Sequence, residues 1–414
     1  MMALFYTVVL LPAMLALWPL KPRREAGHDR EGSQMDRLLT GIADFATGHP
    51  KPIVAASGVL LAVGLFFALQ LKFTHNPLKW FPKDAEIRQA TEKIDKELKG
   101  TVTLDVVVDT GVEYGLYQPA LLDSFEKLAG QVKSIRTGDL FVGKVWSLVD
   151  ILKEINKALN EDREEFYAIP QDKKLIAQEF LLFQLSGSDD LDEIVDMQFS
   201  KTRFSMKLPW IDVMDIVEKL FRQELPAPAT ATVTGMIVLF ARTLYASIYS
   251  MGESYLIAGV VITFMMMFLI GSIRMGLIAM VPNIMPIVMV LGFMKVAGLP
   301  LDMFTMMIGS IAMGLAVDDT IHFFHNFRRY YNDTGDVRDA VRLTLHTTGR
   351  AMLVTSIVLS LGFFVFMFSS MNNLFNFGLL TGMTIILALM ADFLLTPAIM
   401  SLISHPAPGT AVRP

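Results

Sequence analysis

Apolar positions run in long unbroken stretches towards both ends of the chain, whereas the middle alternates and carries most of the charge. Ile53 to Leu71 is a clean apolar run, and at 1.5 Å per residue it is long enough to cross roughly 30 Å of hydrocarbon. Tyr255 to Ile270, Gly276 to Val296, Met303 to His325, Met352 to Phe368 and Leu374 to Ile403 repeat the pattern. Pro282 and Pro286 predict kinks in the second of these five. Residues 1–20 are also apolar, but Lys21, Arg23 and Arg24 follow the run instead of preceding it. That order predicts the tail of a preceding membrane helix emerging on the cytoplasmic side, not a signal peptide.

The middle reads differently. Thr101 to Asp109 alternates and is rich in Val, which predicts a strand, as do Thr202 to Leu208 and Thr230 to Thr234. Pro119 to Lys133, Ser147 to Leu159 with Ser147 as cap, Lys173 to Leu185 and Asp212 to Glu224 predict helices. Strands mixed with amphipathic helices imply an α/β or α+β layered domain.

Composition sharpens this division. The chain is 53% hydrophobic and 19% charged, too apolar for an ordinary soluble protein of this length. Between positions 73 and 250, 21 Lys and Arg stand against 28 Asp and Glu, so one mildly acidic domain interrupts a membrane protein. The absence of cysteine excludes disulfides, thiolate metal sites and a Cys nucleophile. No basic block interleaved with aromatics points to nucleic acid.

Charge also sets topology. Lys and Arg cluster in 21–51, at Arg274, at Arg328, Arg329, Arg338, Arg342 and Arg350, and at Arg413, while the loops 297–302 and 369–373 hold none. By the positive-inside rule the acidic domain then faces outside, and the amphipathic segment Asp336 to His346 lies along the cytoplasmic interface. The expected division is residues 1–20 as the tail of a preceding transmembrane helix, 21–51 a cytoplasmic linker, 52–72 a transmembrane helix, 73–250 an extracytoplasmic α/β porter-like domain, 251–403 five transmembrane helices and 404–414 a cytoplasmic tail.

The stretch Gly309 to His322 carries the chemistry. It places adjacent Asp318 and Asp319 in an otherwise apolar, small-residue run. On a helix Ser310, Gly314, Asp318 and His322 form one stripe, with Asp319 about 100° round. Asp318 precedes Arg328 by about 15 Å of helix, which puts it near mid-membrane if the arginines mark the interface. A carboxylate there costs roughly 2.5–3.5 kcal/mol on insertion scales, so it marks a functional interior by default. Desolvation and like-charge repulsion favour a proton on one of the pair, the condition for a proton carrier. The alternative is a pair neutralised by a basic partner that only holds helices together.

Asp392 in the last span is a second buried acid, read either as relay support or as a helix contact. Thr355, Ser356 and Ser360 either donate to carboxylates across helices or bond their own backbone, and Ser310 joins the supporting set. Gly309 and Gly314 are expected to let a neighbouring helix pack closely. His325 sits beside the interfacial arginines as a boundary residue. The methionines read as lipid-facing or gap-filling, not metal-ligating. An intramembrane aspartyl protease would need facing aspartates with a Gly-x-Gly-Asp or Tyr-Asp motif, and neither motif is present.

The order of one span, a large domain and five spans, with Gly314-x-x-x-Asp318-Asp319-Thr320-Ile321-His322 in the fourth span, resembles one half of an exporter of the resistance-nodulation-division (RND) superfamily. Leu299-Pro300-Leu301-Asp302, Thr348-Gly349-Arg350, Val233-Thr234-Gly235 and Asp392 with Pro397-Ala398 also match its MMPL and hopanoid-exporter-like branch, over residues 53–403. The resemblance implies a polytopic α-helical membrane protein, a six-helix RND-type bundle with an α/β extracytoplasmic porter-like domain between its first and second spans. It further implies a proton-driven antiporter in a bacterial inner membrane, exporting lipids or other hydrophobic molecules without a cofactor and not as an enzyme. Asp318, Asp319 and His322 are then the expected proton relay, with Asp392, Thr355, Ser356 and Ser310 in support. Because the sterol-sensing family shares this bundle, lipid sensing or handling without strong pumping is the alternative. Family members carry two such halves. Val8 to Leu15 echoes Phe393 to Met400, with Thr7 where Asp392 would stand, so an N-terminal half in the same or a separate chain, or a homo-oligomer, is the expected partner.

Overall fold

The computed structural model describes residues 9–17, 34–71, 73, 76–137, 140–187, 191–210 and 214–403. Thr7, the tail 404–414, and most of 1–20 and 21–33 lie outside the described residues, apart from a short helix α1 (Leu11–Leu17). Among the described residues six stretches are apolar and long enough to cross a membrane: Pro50–Ala68, Met236–Ile270, Ile273–Val296, Met303–Thr334, Val337–Phe368 and Asn372–Ile403. The chain falls into two compact units. One comprises Val59–Asp318 and Ser356–Ala388; the other comprises the described parts of Met1–Gly58, Asp319–Thr355 and Leu389–Pro414.

In the first unit, an α/β domain lies in sequence between the first and second spans. Helix α2 (Gln34–Gly48) and the first span α3 (Pro50–Ala68) precede helix α4 (Glu86–Glu97) and strand β1 (Val102–Asp109). There follow α5 (Pro119–Lys133), the short pair β2 (Arg136–Thr137) and β3 (Leu140–Phe141), then β4 (Lys144–Trp146), α6 (Leu148–Leu159), α7 (Lys173–Leu185), β5 (Lys201–Leu208), α8 (Met214–Glu224) and β6 (Thr230–Thr234). The sheet is antiparallel with order β4-β5-β1-β6. This is a split β-α-β-β-α-β arrangement, ferredoxin-like, with α6 and α7 inserted between its halves.

Alternation explains its core. Leu104, Val106 and Val108 of β1 are buried on one face, beside Phe204 and Met206 of β5 and Val233 of β6. Phe125 of α5 and Phe221 of α8 meet Phe204 edge to face, at ring separations of 5.1 and 5.2 Å. Each such side chain contributes about 1.5–3 kcal/mol on burial. Ser147 caps α6 through a reciprocal box, its N–H donating to Asp150 Oδ2 at 2.8 Å.

The second span lies in α9 (Met236–Ile270), one helix of 35 residues. The sequence pattern starts membrane helices only from 251. The helix begins earlier because Gly235 breaks the chain at a positive φ of 109° and no proline follows before Gly271. Next come α10 (Ile273–Val296), α11 (Met303–Thr334), α12 (Val337–Thr344), α13 (Arg350–Phe364) and α14 (Asn372–Met390), ending in α15 (Thr396–Ile403). Helix α10 continues through Pro282 and Pro286 as a single element. It crosses α3 closely: a Cβ on Gly292 would lie 2.7 Å from Gly64 Cα, so only glycine fits.

The segment leading from α3 into the α/β domain is clipped to the loops that precede α11 and α14. Phe73 bridges Leu301, Trp80 meets Phe304 edge to face at 5.4 Å, and Asn372 Nδ2 donates to Phe81 O at 3.1 Å.

In the second unit, α2 packs through Leu39, Ala43 and Ala46, all fully buried, against α12 and the turns around it. Arg342 pairs with Asp44 at 2.6 Å, and Arg350 and His346 approach Asp36 at 3.3 and 3.5 Å. The hydrogen bond from Arg342 holds the Asp44 carboxyl below its usual range.

Candidate functional site

Helix α11 is launched by a reciprocal cap in which Thr305 N–H donates to Asp302 Oδ1 at 2.9 Å and Asp302 N–H donates to Thr305 Oγ1 at 2.8 Å. It then runs 32 residues without a proline. Period 3.6 distributes its polar side chains. Ser310, Gly314, Asp318 and His322 are exposed, as is His325, while Asp319 is half-buried and Thr320 fully buried.

Thr320 meets the last span. Its hydroxyl donates to Asp392 Oδ1 at 2.8 Å, and Thr396 Oγ1 adds a longer contact of 3.4 Å to the same oxygen. Asp392 is 2% exposed, and its Oδ2 has no hydrogen-bond donor among the described residues. Asp319 lies within electrostatic reach of it. Asp392 and two hydroxyls thus occupy one buried place with the half-buried Asp319 nearby, and no Lys or Arg pairs with Asp392 among the described residues.

Local sequence explains how Asp392 is aimed. It sits in a π turn, Ala391–Leu395, between α14 and α15. Pro397 has no N–H for the carbonyl of Phe393, and its ring crowds that carbonyl, so the α register fails there. The N–H of Thr396 reaches back to Ala391 O instead. Such bulges insert one residue into a helix and turn a side chain out of its ordinary row, often at functional sites. A second π turn, Leu345–Gly349, carries His346 at the Asp36 pair.

The remaining candidates are dispersed. Ser310 Oγ donates to its own helix at Met307 O, 2.9 Å away. Thr355 Oγ1 donates to Ala351 O and Met352 O, both at 3.0 Å. Ser356 is buried, and Ser360 Oγ donates to Gly382 O at 3.3 Å. A Cβ on Gly309 would touch the Tyr255 ring at 3.4 Å, a helix contact reinforced by Tyr255 Oη donating to Met306 O at 2.6 Å. Around Gly314 nothing described lies within 4 Å of such a Cβ.

Sequence reading did not single out Thr320 or Thr396 beside the carboxylates. Thr320 directly follows Asp319 in the quoted motif and Thr396 is four residues beyond Asp392, so the spacing was present, but the 72-residue separation of the partners hid the contact.

Residues 209–413, which contain both acids and both threonines, match the MMPL family. The chain is also 20% identical over 378 residues to membrane protein MJ1562 of Methanocaldococcus jannaschii, covering 88% of this chain and 93% of that protein. Six apolar helices make this a multi-pass membrane protein, and its residues 209–413 match the MMPL family, which lies within the RND superfamily of membrane transporters.

Proposed function

We propose that the protein is a transporter of the RND type driven by the proton-motive force, exporting lipids or other hydrophobic molecules. One observation carries this reading: buried Asp392 is held by Thr320 and Thr396 on one oxygen, open on the other, and within electrostatic reach of Asp319. A proton on one of two neighbouring acids removes their repulsion, and its loss restores it, so proton occupancy drives a rearrangement of α11 against the last span. Asp318 and His322, on the exposed face of α11, pass protons on or meet the partner half. We read the protein as a carrier without a cofactor and not as an enzyme.

The α/β domain faces the periplasm, or the outside, of a bacterial inner membrane. Positive charge at Arg328, Arg329, Arg338, Arg342 and Arg350 marks the opposite side, and the loops 297–302 and 369–373, which hold no Lys or Arg, adjoin the segment that enters the domain. An exposed Asp318 on a membrane helix needs cover, because facing lipid is costly. A second half of the same kind, or a second copy, supplies it. The family match does not favour the sensing alternative.

Reconstituted vesicles test the proposal. With an imposed pH gradient, wild-type protein moves a fluorescent lipid and releases protons together. Asp392→Asn and Asp319→Asn abolish both while remaining inserted and folded; unchanged coupled flux in either variant removes the acid pair from the mechanism.

A further inference from the structure

Helix α7 is held to the α/β domain by a narrow seam. Of its 13 residues only Ile176, Glu179 and Phe180 are buried, while Leu175, Leu181, Leu182 and Leu185 stand between 41% and 75% exposed. Phe180 stacks on Phe199 with ring centres 5.5 Å apart and meets Tyr117 at 6.2 Å. One of the three anchors is therefore an acid, and its Oε2 has no hydrogen-bond donor among the described residues. A buried polar group without a partner is costly, and a buried charge far more so. Elements with few buried apolar contacts are those that open locally while the rest of a domain stays folded. Both ends of α7 suit a pivot: Pro170 precedes its Asp172 cap, and Gly187 leaves it at a φ of 82° with nothing described within 4 Å of an added Cβ. The same helix walls a cavity of about 650 Å³, where Leu182, Phe183 and Ser186 stand with Trp146 of β4 and with Ile155 and Leu159 of α6.

The charges around α7 are committed elsewhere. Its own Lys173 and Lys174 are exposed in the first turn. On α6, Asp150 is held in the helix cap, Lys153 and Lys157 pair with Glu126 and Glu164, and Glu154 lies within electrostatic reach of Lys157. At the turn Gly115–Tyr117, Tyr117 stacks on Tyr114 and Glu113 is exposed. In the segment around Phe199, Glu193 approaches Arg203 at 4.0 Å, Asp196 accepts from the N–H groups of Ser200 and Lys201, and Asp192 is exposed. Burial alone acts on the Glu179 carboxyl, and it pushes that group up to about 7.

We propose that α7 is a flap latched by the proton on Glu179. With the carboxyl neutral the helix stays docked and closes its side of the cavity. Once the proton leaves, the carboxylate is better solvated outside, and α7 swings out between Pro170 and Gly187 and opens the cavity. With the domain facing outward, α7 meets the compartment that supplies the protons, so acidity there keeps the flap shut. The latch does not rest on the transport reading, because it stands on the packing of α7.

Because the chain has no cysteine, a single thiol reports the opening in the full chain in lipid nanodiscs. Docking is strongest below about pH 4.5, and the opening equilibrium rises about tenfold per pH unit until it levels off near pH 7. Labelling of Ile176→Cys by a methanethiosulfonate, corrected for the thiolate fraction, should follow that curve between pH 5.5 and 8.5. Adding Glu179→Gln, or Glu179→Met of similar length, should hold the rate at its slow, acidic value throughout. Val106→Cys, in the sheet core, should label far more slowly at every pH. Hydrogen exchange of the α7 amides in the chain without a thiol should show the same dependence, so the outcome does not hang on how the thiol variants fold. A flat rate in the presence of Glu179, a slope that survives both neutral substitutions, or equal rates at positions 176 and 106 overturns the flap. None of these outcomes depends on coupled flux, which Asp392→Asn tests separately.

Discussion

At the scale of the residue, two buried acids behave in opposite settings. Asp392 sits in a membrane helix with its Oδ1 bound by Thr320 and Thr396. Thr320→Val keeps the shape of the side chain but removes the shorter of these donors, which is worth about 1–3 kcal/mol at a buried carboxyl. Its coupled flux in vesicles should therefore fall about tenfold, where Asp392→Asn abolishes it; full activity in Thr320→Val would show that the hydroxyl does not position the acid. Glu179, in α7, is 1% exposed, has an Oε2 without a donor among the described residues, and is pushed up to about 7 by burial. Since its folded value lies above the ordinary 4.5, this acid leaves the fold most stable below about pH 4.5, and stability is lost as pH rises to about 7. Thermal unfolding across pH 5 to 8 should show that decline in wild type. In Glu179→Gln it should vanish, with a gain on the order of 2–3 kcal/mol at pH 8.

At the scale of the element, local chemistry decided what was legible. Helices α5 and α7 and strand β6 lie at the residues their punctuation marks: Pro119 opens α5, Asp172 caps α7, and Gly235 closes β6. Helix α4 went unread because its few apolar residues, Ile87, Ala90 and Ile94, are outnumbered by charged ones. Strand β4 has three residues, too few to show alternation. Helix α2 lay within a supposed linker because that stretch was read for its positive charge, although Leu39, Ala43 and Ala46 do recur on one face. Both π turns follow from register failure, which no period-3.6 pattern reveals. The spans were plain in outline because hydrocarbon demands length above all. The crossing of α3 and α10 adds a test at this scale. Gly292→Val brings a branched side chain against Gly64 backbone already 2.7 Å from a single Cβ, so the helices must part. Overpacking of this kind costs about 1–3 kcal/mol and should lower the melting temperature of the detergent-solubilised protein, whereas a matching change at Gly252, where nothing described lies within 4 Å of an added Cβ, should not.

At the scale of the whole molecule, the acid motif of α11 was found as a sequence feature, but its division of labour came from the fold. Adjacent carboxylates lie about 100° apart on a helix, so one can turn inward while the other faces out. Asp319 is half-buried within electrostatic reach of Asp392, and Asp318 shares the exposed row with Ser310, Gly314 and His322. Because the chain has no cysteine, Gly314→Cys provides a single reporter on that row. If a second copy covers it, mild oxidation in membranes should yield a disulfide-linked dimer; a chain that stays monomeric points to a separate first half as the cover.

The central claim is that buried Asp392 and its neighbour Asp319 couple protons to movement of a hydrophobic substrate. Simultaneous recording of lumenal pH and fluorescent-lipid movement in vesicles containing wild type, Asp319→Asn or Asp392→Asn tests it most directly. The account expects both signals in wild type and neither in the two variants, with insertion and melting unchanged. Lipid movement that continues at wild-type rate in Asp392→Asn, with or without a pH gradient, would contradict it.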